Sequence, residues 1–274
     1  MVEVDAGSAL SRDEAVALAP ADLRAAIRDG RWAGSTEGLA LGHLQANLVV
    51  LPHELAFEFL LYCHRNTAAC PVIDVGEVGS TTVPGVAAEA DLRTDLPRYR
   101  VYADGELVDE PTEVAGEWPE DAVAFLLGCA MTCDEALLAA GVPVRHLAQG
   151  RRAPVYVTDV PTRPAGAFSA PLVVNLRAVP AGQVARATTV TSRYPVAHGA
   201  PVHVGEPAAL GIADLADVTY GDAPWLEPGD VPMFWGCGIT PQLAIERARP
   251  RYAITHFPGH MFVTDRAAEA DAAH

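Results

Sequence analysis

Two short segments near the C-terminal end of the chain contain the residue types that are most able to do chemistry. The first, FWGCGITPQ at residues 234–242, is an apolar run that leads into Gly236-Cys237-Gly238 and then Thr240 at a predicted helix start. Such a turn presents backbone N–H groups that can bind a carboxylate or an oxyanion and that lower the pKa of a thiol. A tight turn around a buried structural cysteine is the alternative, and the sequence leaves both open.

The second segment, ITHFPGH at residues 254–260, is a predicted strand that ends at His256 and a Pro-Gly turn that leads to His260. Histidines at strand ends of open α/β sheets often line the ligand crevice, so both are candidate acids or bases. His198 and His203 lie in a further polar segment with Arg193. Histidines satisfied by backbone hydrogen bonds are the alternative interpretation.

The same four histidines could in principle bind zinc or iron. No pair has the i, i+4 spacing on a helix, because Pro and Gly interrupt both segments. The sequence therefore predicts no metal. Arginines cluster at residues 93–100, and either capture of a substrate carboxylate or surface ion pairing would explain them.

The composition narrows the chemistry further. The net charge is −16, and all 19 basic residues are arginine, because lysine is absent. Without lysine there is no Schiff base to a carbonyl substrate or a pyridoxal-type cofactor, and no phosphate-loop lysine. An acidic chain repels phosphate backbones, so nucleic acid is not an expected partner. We expect no cofactor and a small carboxylate as the ligand.

Five cysteines, at positions 63, 70, 129, 133 and 237, form no C-x-x-C pair, which favours reduced thiols over a disulfide framework. Cys129 and Cys133 are predicted to fill the core from one helix face. Residues 1–10 lack the features of a signal peptide, and no apolar run reaches the roughly 18 residues of a membrane-spanning helix. We expect a globular cytoplasmic protein, with homo-oligomerisation left open.

The elements that must position these residues follow from apolar periodicity and turn signals. A capping box at Ser11 and Glu14 predicts a helix over 12–29, and Asp104-Gly105 predicts a hairpin. The other predicted strands and helices are 44–51, a helix from Pro52, 71–76, a helix over 120–140, 142–147, 154–158, 172–176, 202–204, 231–235 and 252–255.

This order predicts an α/β fold. Residues 1–98 and 167–274 are expected to form the main domain, a parallel or mixed sheet with helices on both faces. Residues 99–166 are expected to form a smaller inserted two-layer α+β unit of order ββαββ. No internal repeat is recognised in the sequence.

Across residues 42–265 the sequence resembles the D-glutamate cyclase family, whose bacterial members are often catalogued provisionally as hydro-lyases. The resemblance rests on ordered motifs: QANLVVLP, CHRN with CPVIDVGE, DLRTDLPRYRVYADGE, FLLGC, PVRH, PLVVNLR, TSRYPVAHGAPVH, PQ after FWGCGIT, and ITHFPGHMFVTD. His43, His64, Asn175 and residues 130–133 depart from the more usual pattern, and the departures at 130–133 bear on the identity of the substrate.

The resemblance implies conversion of D-glutamate to 5-oxo-D-proline with loss of water. That reaction needs an arginine for a carboxylate, a base for the ammonium group, and a proton and an oxyanion site for the γ-carboxylate. We assign Arg193 and Arg93 to carboxylate binding. The predicted catalytic residues are His256, His260, His198 and Cys237, and the predicted further substrate contacts are Asn47, His203, Gly236, Gly238 and Thr240.

Other activities stay open at this point. A hydro-lyase would remove water across a carbon–carbon bond of a hydroxy acid, and a biosynthetic variant would act on a modified amino acid. A non-catalytic protein would bind small carboxylates without turnover. If these residues act on one acid substrate, Arg193, the histidines and Cys237 must line a single cleft.

Overall fold

The computed structural model describes residues 9–272 and places its strands in two sheets. The expectation about a signal peptide therefore lies almost entirely outside the described residues. The strands are β1 (His43–Pro52), β2 (Val72–Val75), β3 (Tyr99–Ala103), β4 (Glu106–Asp109), β5 (Ala122–Gly128), β6 (Val155–Pro161), β7 (Pro171–Pro180), β8 (His203–Val204), β9 (Asp230–Gly236), β10 (Tyr252–His256) and β11 (Phe262–Ala267). The α-helices are α1 (Arg12–Val16), α2 (Pro20–Arg28), α3 (His53–Arg65), α4 (Asp134–Ala139), α5 (Arg145–Ala148), α6 (Val184–Ser192) and α7 (Thr240–Ala248).

The larger sheet has seven strands in the order β2-β5-β1-β10-β3-β4, with β11 also paired to β1. The smaller sheet has the order β6-β7-β9-β8. The predicted α/β class with one large sheet is confirmed, but every registered strand pair in the described residues is antiparallel. None of the helices in that part of the chain is both long and apolar enough to cross a membrane.

Both faces of the large sheet are buried. Successive side chains of β1 point to opposite faces, and Val49 packs with Phe59 of α3 and Ile245 of α7. Val50 packs on the other face with Leu92, which belongs to the long loop between β2 and β3. This two-sided burial explains why β1 is a nearly continuous apolar run.

The predicted inserted unit over residues 99–166 is wrong. Strand β3 pairs with β10 over Tyr99–Ala103, and β5 lies between β2 and β1 inside the large sheet. The expected helix over 120–140 is instead β5 followed by a 3₁₀ turn and the short α4. The apolar run that forms β5 is buried on both faces, so its sequence shows no periodicity that would distinguish a strand from a helix. This ambiguity caused the wrong prediction of a helix.

The first predicted helix is confirmed in part, and the strand predicted over 142–147 is not found. The capping box at Ser11 and Glu14 is present, but the predicted first helix stops before Pro20, which opens α2. Proline is tolerated in the first turn of a helix and breaks a helix interior. The strand expected over 142–147 is replaced by the short helix α5.

The two sheets contain the same four-strand arrangement, β2-β5-β1-β11 in one and β8-β9-β7-β6 in the other. Their registers agree: Ala46 opposes Gly128 as Val174 opposes Gly236. The outer strands agree as well, because Gln45 opposes Val263 as Val173 opposes Val157. The chain therefore contains an internal repeat, which the sequence analysis missed.

Each repeat lends its final strand to the sheet of the other. The first repeat comprises β1, α3, β2, β5, α4 and β6, and the second comprises β7, α6, β8, β9, α7 and β11. Strand β6 joins the second sheet and β11 joins the first, so the repeats are related by a pseudo-twofold axis.

Matched side-chain hydrogen bonds support this relationship. The Thr158 hydroxyl donates to the Leu172 carbonyl at 2.7 Å, and the Thr264 hydroxyl donates to the Leu44 carbonyl at 2.9 Å. Two glycines also mark where the repeats touch, because a Cβ at Gly128 would overlap the Val196 carbonyl and a Cβ at Gly236 would overlap the Ala68 carbonyl. Gly236, predicted to contact substrate, thus has a packing role.

Candidate active site

A cavity of about 280 Å³ lies where the two repeats meet. Seven pairs of its lining residues occupy equivalent positions in the repeats: Asn47 and Asn175, Cys129 and Cys237, Ala130 and Gly238, Met131 and Ile239, Arg152 and Pro258, Ala153 and Gly259, and Val155 and Met261. The pseudo-twofold axis therefore passes through the cavity. The lining residues without such an equivalent are Glu37, Arg100, Thr219, Tyr220, Gly221, His256 and Phe257.

The two asparagines are buried and bonded in the same way. The side-chain amide of Asn47 donates to the Gly128 carbonyl at 2.6 Å, and that of Asn175 donates to the Gly236 carbonyl at 3.0 Å. Asn47 also packs directly on Gly238, where a Cβ would overlap its amide. Each amide has a second N–H hydrogen, so both side chains can still donate to a ligand.

The two Gly-Cys-x-x-Thr turns are also equivalent. The Thr132 hydroxyl accepts the N–H of Gln45 at 3.1 Å, and the Thr240 hydroxyl accepts the N–H of Val173 at 3.0 Å. Thr240 thus fixes the turn to the neighbouring strand instead of lining the cavity.

The expectation of a lowered thiol pKa in this turn is wrong. Burial raises the pKa of Cys237 to about 11, although the N–H of Ile239 acts in the opposite direction. Burial likewise raises the pKa of Cys129 well above its ordinary value. Both thiols are neutral near neutral pH, so neither is poised as a thiolate nucleophile.

His256 reaches the cavity from the end of β10. Residues 257–261 then leave the sheet, and pairing with β1 resumes at β11. The His256 ring Nδ1 lies 3.4 Å from the Leu48 carbonyl and 3.5 Å from the Gln242 side-chain nitrogen. Burial lowers the pKa of His256 to about 4, so its imidazole is neutral at neutral pH.

Glu37 is a cavity residue that the sequence analysis missed. Its carboxylate accepts the N–H of Ala153 at 3.2 Å, and burial raises its pKa to about 7. The loop that carries Glu37 is attached to the 257–261 segment, because the Ser35 hydroxyl donates to the Gly259 carbonyl at 2.8 Å. No periodicity or motif marks this loop, so no signal in the sequence could have identified it.

Three arginines lie in or behind the cavity wall. Arg100 is largely buried and donates to Glu110 at 3.0 Å and to Gln242 at 3.4 Å. Arg152 reaches the cavity from an exposed position. Arg177 lies behind Asn175, whose side-chain oxygen accepts from it at 2.7 Å.

The arginines that were predicted to bind the substrate lie elsewhere. Arg193 is half-exposed and pairs with Glu269, and Arg93 pairs with Asp91 two residues away. Neither lines the cavity. The predicted meeting of Arg193 with His256 is therefore wrong, because arginine positions in sequence do not reveal which carboxylate they will pair with.

The other predicted histidines are each held by a backbone carbonyl outside the cavity lining. His198 is buried with its Nδ1 2.9 Å from the Ala68 carbonyl, and burial lowers its pKa to about 4. Imidazole atoms of His203 and His260 lie 2.8 Å and 3.1 Å from carbonyl oxygens of nearby residues. Of the predicted residues, the cavity brings together Asn47, Cys237, Gly238 and His256.

One cluster of potential metal ligands occurs within the described residues, and it lies away from this cavity. It consists of His53, Glu54 and Asp121, which are at the surface. Arg251 pairs with both carboxylates. The four histidines considered as metal ligands are not grouped in this part of the chain.

The two sides of the cavity keep the asparagine and the cysteine in common and differ at most of their other lining positions. We call Asn175, Ala130, Arg177 and Asp134 the arginine half, and Asn47, Gly238, Gln242 and His256 the histidine half. In the repeat alignment Val49 stands where the other half has Arg177, and Gln242 stands where it has Asp134.

Comparison with known proteins gives a consistent result. A family model described as D-glutamate cyclase matches residues 123–265. A protein of Bacillus licheniformis is 51% identical over 90% of this chain and 95% of its own length. Proteins of Stutzerimonas stutzeri and a Thermoanaerobacter species are 52% and 50% identical over 90% of this chain and 94% of theirs. All three are provisionally named hydro-lyases.

Proposed function

The chain belongs to the D-glutamate cyclase family, and from that premise we propose that it converts D-glutamate to 5-oxo-D-proline with loss of water. The observation that carries this proposal is the cavity on the pseudo-twofold axis. It combines a largely buried arginine, a neutral histidine and a pair of asparagine amides in a volume that suits a five-carbon amino acid.

The reaction joins the amino nitrogen of the substrate to its own γ-carbon. Ring closure is intramolecular, so a protein that holds the folded substrate already meets much of the entropic cost. The remaining tasks are to bind the α-carboxylate, to move protons from nitrogen to oxygen, and to stabilise the tetrahedral intermediate.

Arg100 is the proposed ligand of the α-carboxylate. Its contacts with Glu110 and Gln242 use only part of the five N–H donors of a guanidinium, so donors remain for a substrate. Its low exposure strengthens a charge-assisted bond, because little water competes for it. Arg152, which is more exposed, would attract the anion towards the cavity.

His256 and the asparagines are proposed to act on the γ-carboxyl group. With a pKa of about 4, His256 is a neutral hydrogen-bonding partner at neutral pH and not an imidazolium acid. The free amide hydrogens of Asn47 and Asn175 can stabilise the oxyanion that forms when nitrogen attacks the carbonyl carbon. These roles require no cofactor.

Incubation of the purified protein with D-glutamate, followed by mass spectrometry and chiral chromatography, tests the proposal. We expect 5-oxo-D-proline, and a much slower reaction with L-glutamate as the matched control. Absence of any product from D-glutamate would contradict the proposal.

A second candidate is removal of water across a carbon–carbon bond of a hydroxy acid, which is favoured by the hydro-lyase names of the relatives. The same arginine would bind the substrate carboxylate. The two reactions are distinguished by product, since dehydration of a hydroxy acid gives an alkene with ultraviolet absorbance. A panel of hydroxy acids in the same assay would identify it.

A further inference from the structure

The Glu37 carboxyl group lies on the pseudo-twofold axis, between two residues that are equivalent in the repeats. One oxygen accepts the N–H of Ala153 at 3.2 Å. The other oxygen lies 3.2 Å from the position that a Cβ of Gly259 would occupy. Glu37 is also the one carboxylate among the described residues that line the cavity. A group in this place borders the cavity from both repeats.

Several contacts fix the position of Glu37. The N–H of Thr36 donates to the Gly259 carbonyl at 2.9 Å, and the Thr36 hydroxyl accepts the N–H of Met261 at 2.8 Å. The Arg12 guanidinium donates to the backbone carbonyl of Glu37 itself. These hydrogen bonds fix the backbone of residues 36 and 37 against the 257–261 segment and Arg12. The Glu37 carboxyl group is therefore held between Ala153 and Gly259.

The proposed function, on which this inference rests, requires proton transfer between the two ends of the substrate. Two protons must leave the ammonium nitrogen, and both end on the oxygen that departs as water. No net proton is exchanged with solvent. One carboxylate that reaches both ends can therefore perform both transfers.

We infer that Glu37 is the catalytic proton relay of this site. Its carboxylate takes a proton from the substrate ammonium group and passes it to the γ-carboxylate. The nitrogen then attacks the γ-carbon, so that the C–N bond forms and the carbonyl electron pair moves to oxygen. Glu37 takes the second proton from nitrogen and gives it to the hydroxyl group, the C–O bond breaks, water leaves, and Glu37 is again a carboxylate.

The charged surroundings of Glu37 suit this role. Burial raises its pKa to about 7, and Asp134 acts in the same direction, whereas Arg152 and Arg12 act against it. The thiols of both turns are neutral. A carboxyl group with a pKa near 7 exchanges protons readily at neutral pH, which is the condition for efficient general acid–base catalysis.

Substitution of Glu37 tests the relay. We expect Glu37→Gln to lower kcat by about 10²–10⁴-fold, the usual share of general acid–base catalysis. Binding of glutarate, an unreactive dicarboxylate, should change little in isothermal calorimetry. The matched control is Glu113→Gln, at an exposed position outside the cavity, which should leave kcat unchanged.

The pH profile gives a second readout. Because the relay starts as a carboxylate, kcat/KM of the wild-type protein should rise with pH through about 7 and then level off. This limb should be absent in Glu37→Gln and present in Glu37→Asp. If Glu37→Gln does not fold, formate should partly restore turnover to Glu37→Ala, where it can occupy the vacated space.

Turnover of the wild-type protein distinguishes failure of the Glu37 relay from failure of the proposed function. An active wild-type protein whose Glu37→Gln variant keeps full activity and the same pH profile would overturn the relay and leave the proposed function intact. A wild-type protein that forms no lactam would overturn both.

Discussion

The two halves of the cavity have equivalent backbone positions but different side chains. In the arginine half, Arg177 is buried and donates to Asp134 at 2.6 Å and to Asn175 at 2.7 Å, so its charge is paired inside the protein. In the histidine half, Gln242 takes the place of Asp134 and contacts both His256 and Arg100. The repeats therefore share a scaffold, and the proposed reactive groups Arg100, His256 and Glu37 stand at lining positions that have no equivalent in the other repeat.

From this difference we expect that the arginine half, apart from the Asn175 amide, is mainly structural and that the histidine half carries more of the proposed catalytic groups. A buried ion pair such as Arg177 with Asp134 holds its neighbours in place, while a cavity arginine with free donors can bind a substrate. The assignment can be tested by making the halves more alike or by disturbing each one separately.

The largest effect on the free energy of unfolding is expected when the ion pair of the arginine half is broken. Arg177→Val leaves Asp134 buried without its partner, and loss of one member of a buried ion pair costs about 3–5 kcal/mol of the free energy of unfolding. Urea denaturation measures this loss. The control is Arg177→Val combined with Asp134→Gln, which copies Val49 and Gln242 from the other half and should recover much of the stability. A single variant within about 1 kcal/mol of wild type would contradict the structural role, since only exposed ion pairs are worth so little.

Substitution of Gly238, the equivalent of Ala130 in the other turn, is expected to have a smaller effect on the free energy of unfolding and a larger effect on kcat. Gly238→Ala places a Cβ on the Asn47 amide, and such overpacking costs about 1–3 kcal/mol. Displacement of Asn47 should also lower kcat by about 10²-fold, the effect of losing one oxyanion donor. The control, Ala130→Gly, creates no overlap and should change the free energy of unfolding by about 1 kcal/mol or less. Equal kinetic effects of the two variants would show that the halves are not functionally different.

The smallest effect is expected outside the cavity. Arg193→Ala removes a half-exposed ion pair with Glu269, and such pairs contribute about 0–1 kcal/mol. Kinetic constants for D-glutamate should therefore stay within about twofold of wild type, well under the tenfold that 1.4 kcal/mol represents. A large rise in KM would restore the carboxylate-binding role that the sequence predicted for Arg193.

The sequence predicted most strands of this fold but not how they combine. Apolar runs located β1, β7, β9 and β10, because two-sided burial leaves a continuous signal. The repeat was missed because its visible identity is limited to short pieces, such as GCAMT at residues 128–132 and GCGIT at 236–240. Insertions of different length separate these pieces, so no fixed period runs along the chain.

The candidate site was predicted in part. His256 and the Cys237 turn could be found because strand ends and glycine turns have local signatures. Glu37 could not be found, because its burial arises from contacts with residues more than a hundred positions away, such as Ala153 and Gly259. Arg193 was misassigned for a related reason, since its partner Glu269 lies 76 residues further along the chain and no local pattern predicts the pairing.

The exchange of final strands between the repeats has a consequence for biosynthesis. Strand β1 leaves the ribosome long before its partners β10 and β11, which lie far from it along the chain. Pairing between segments so distant in sequence closes a long loop and forms slowly. One edge of β1 therefore stays unpaired until β10 and β11 are made, and exposed strand edges of this kind promote aggregation. The nascent protein should depend on chaperones until β10 and β11 have been released.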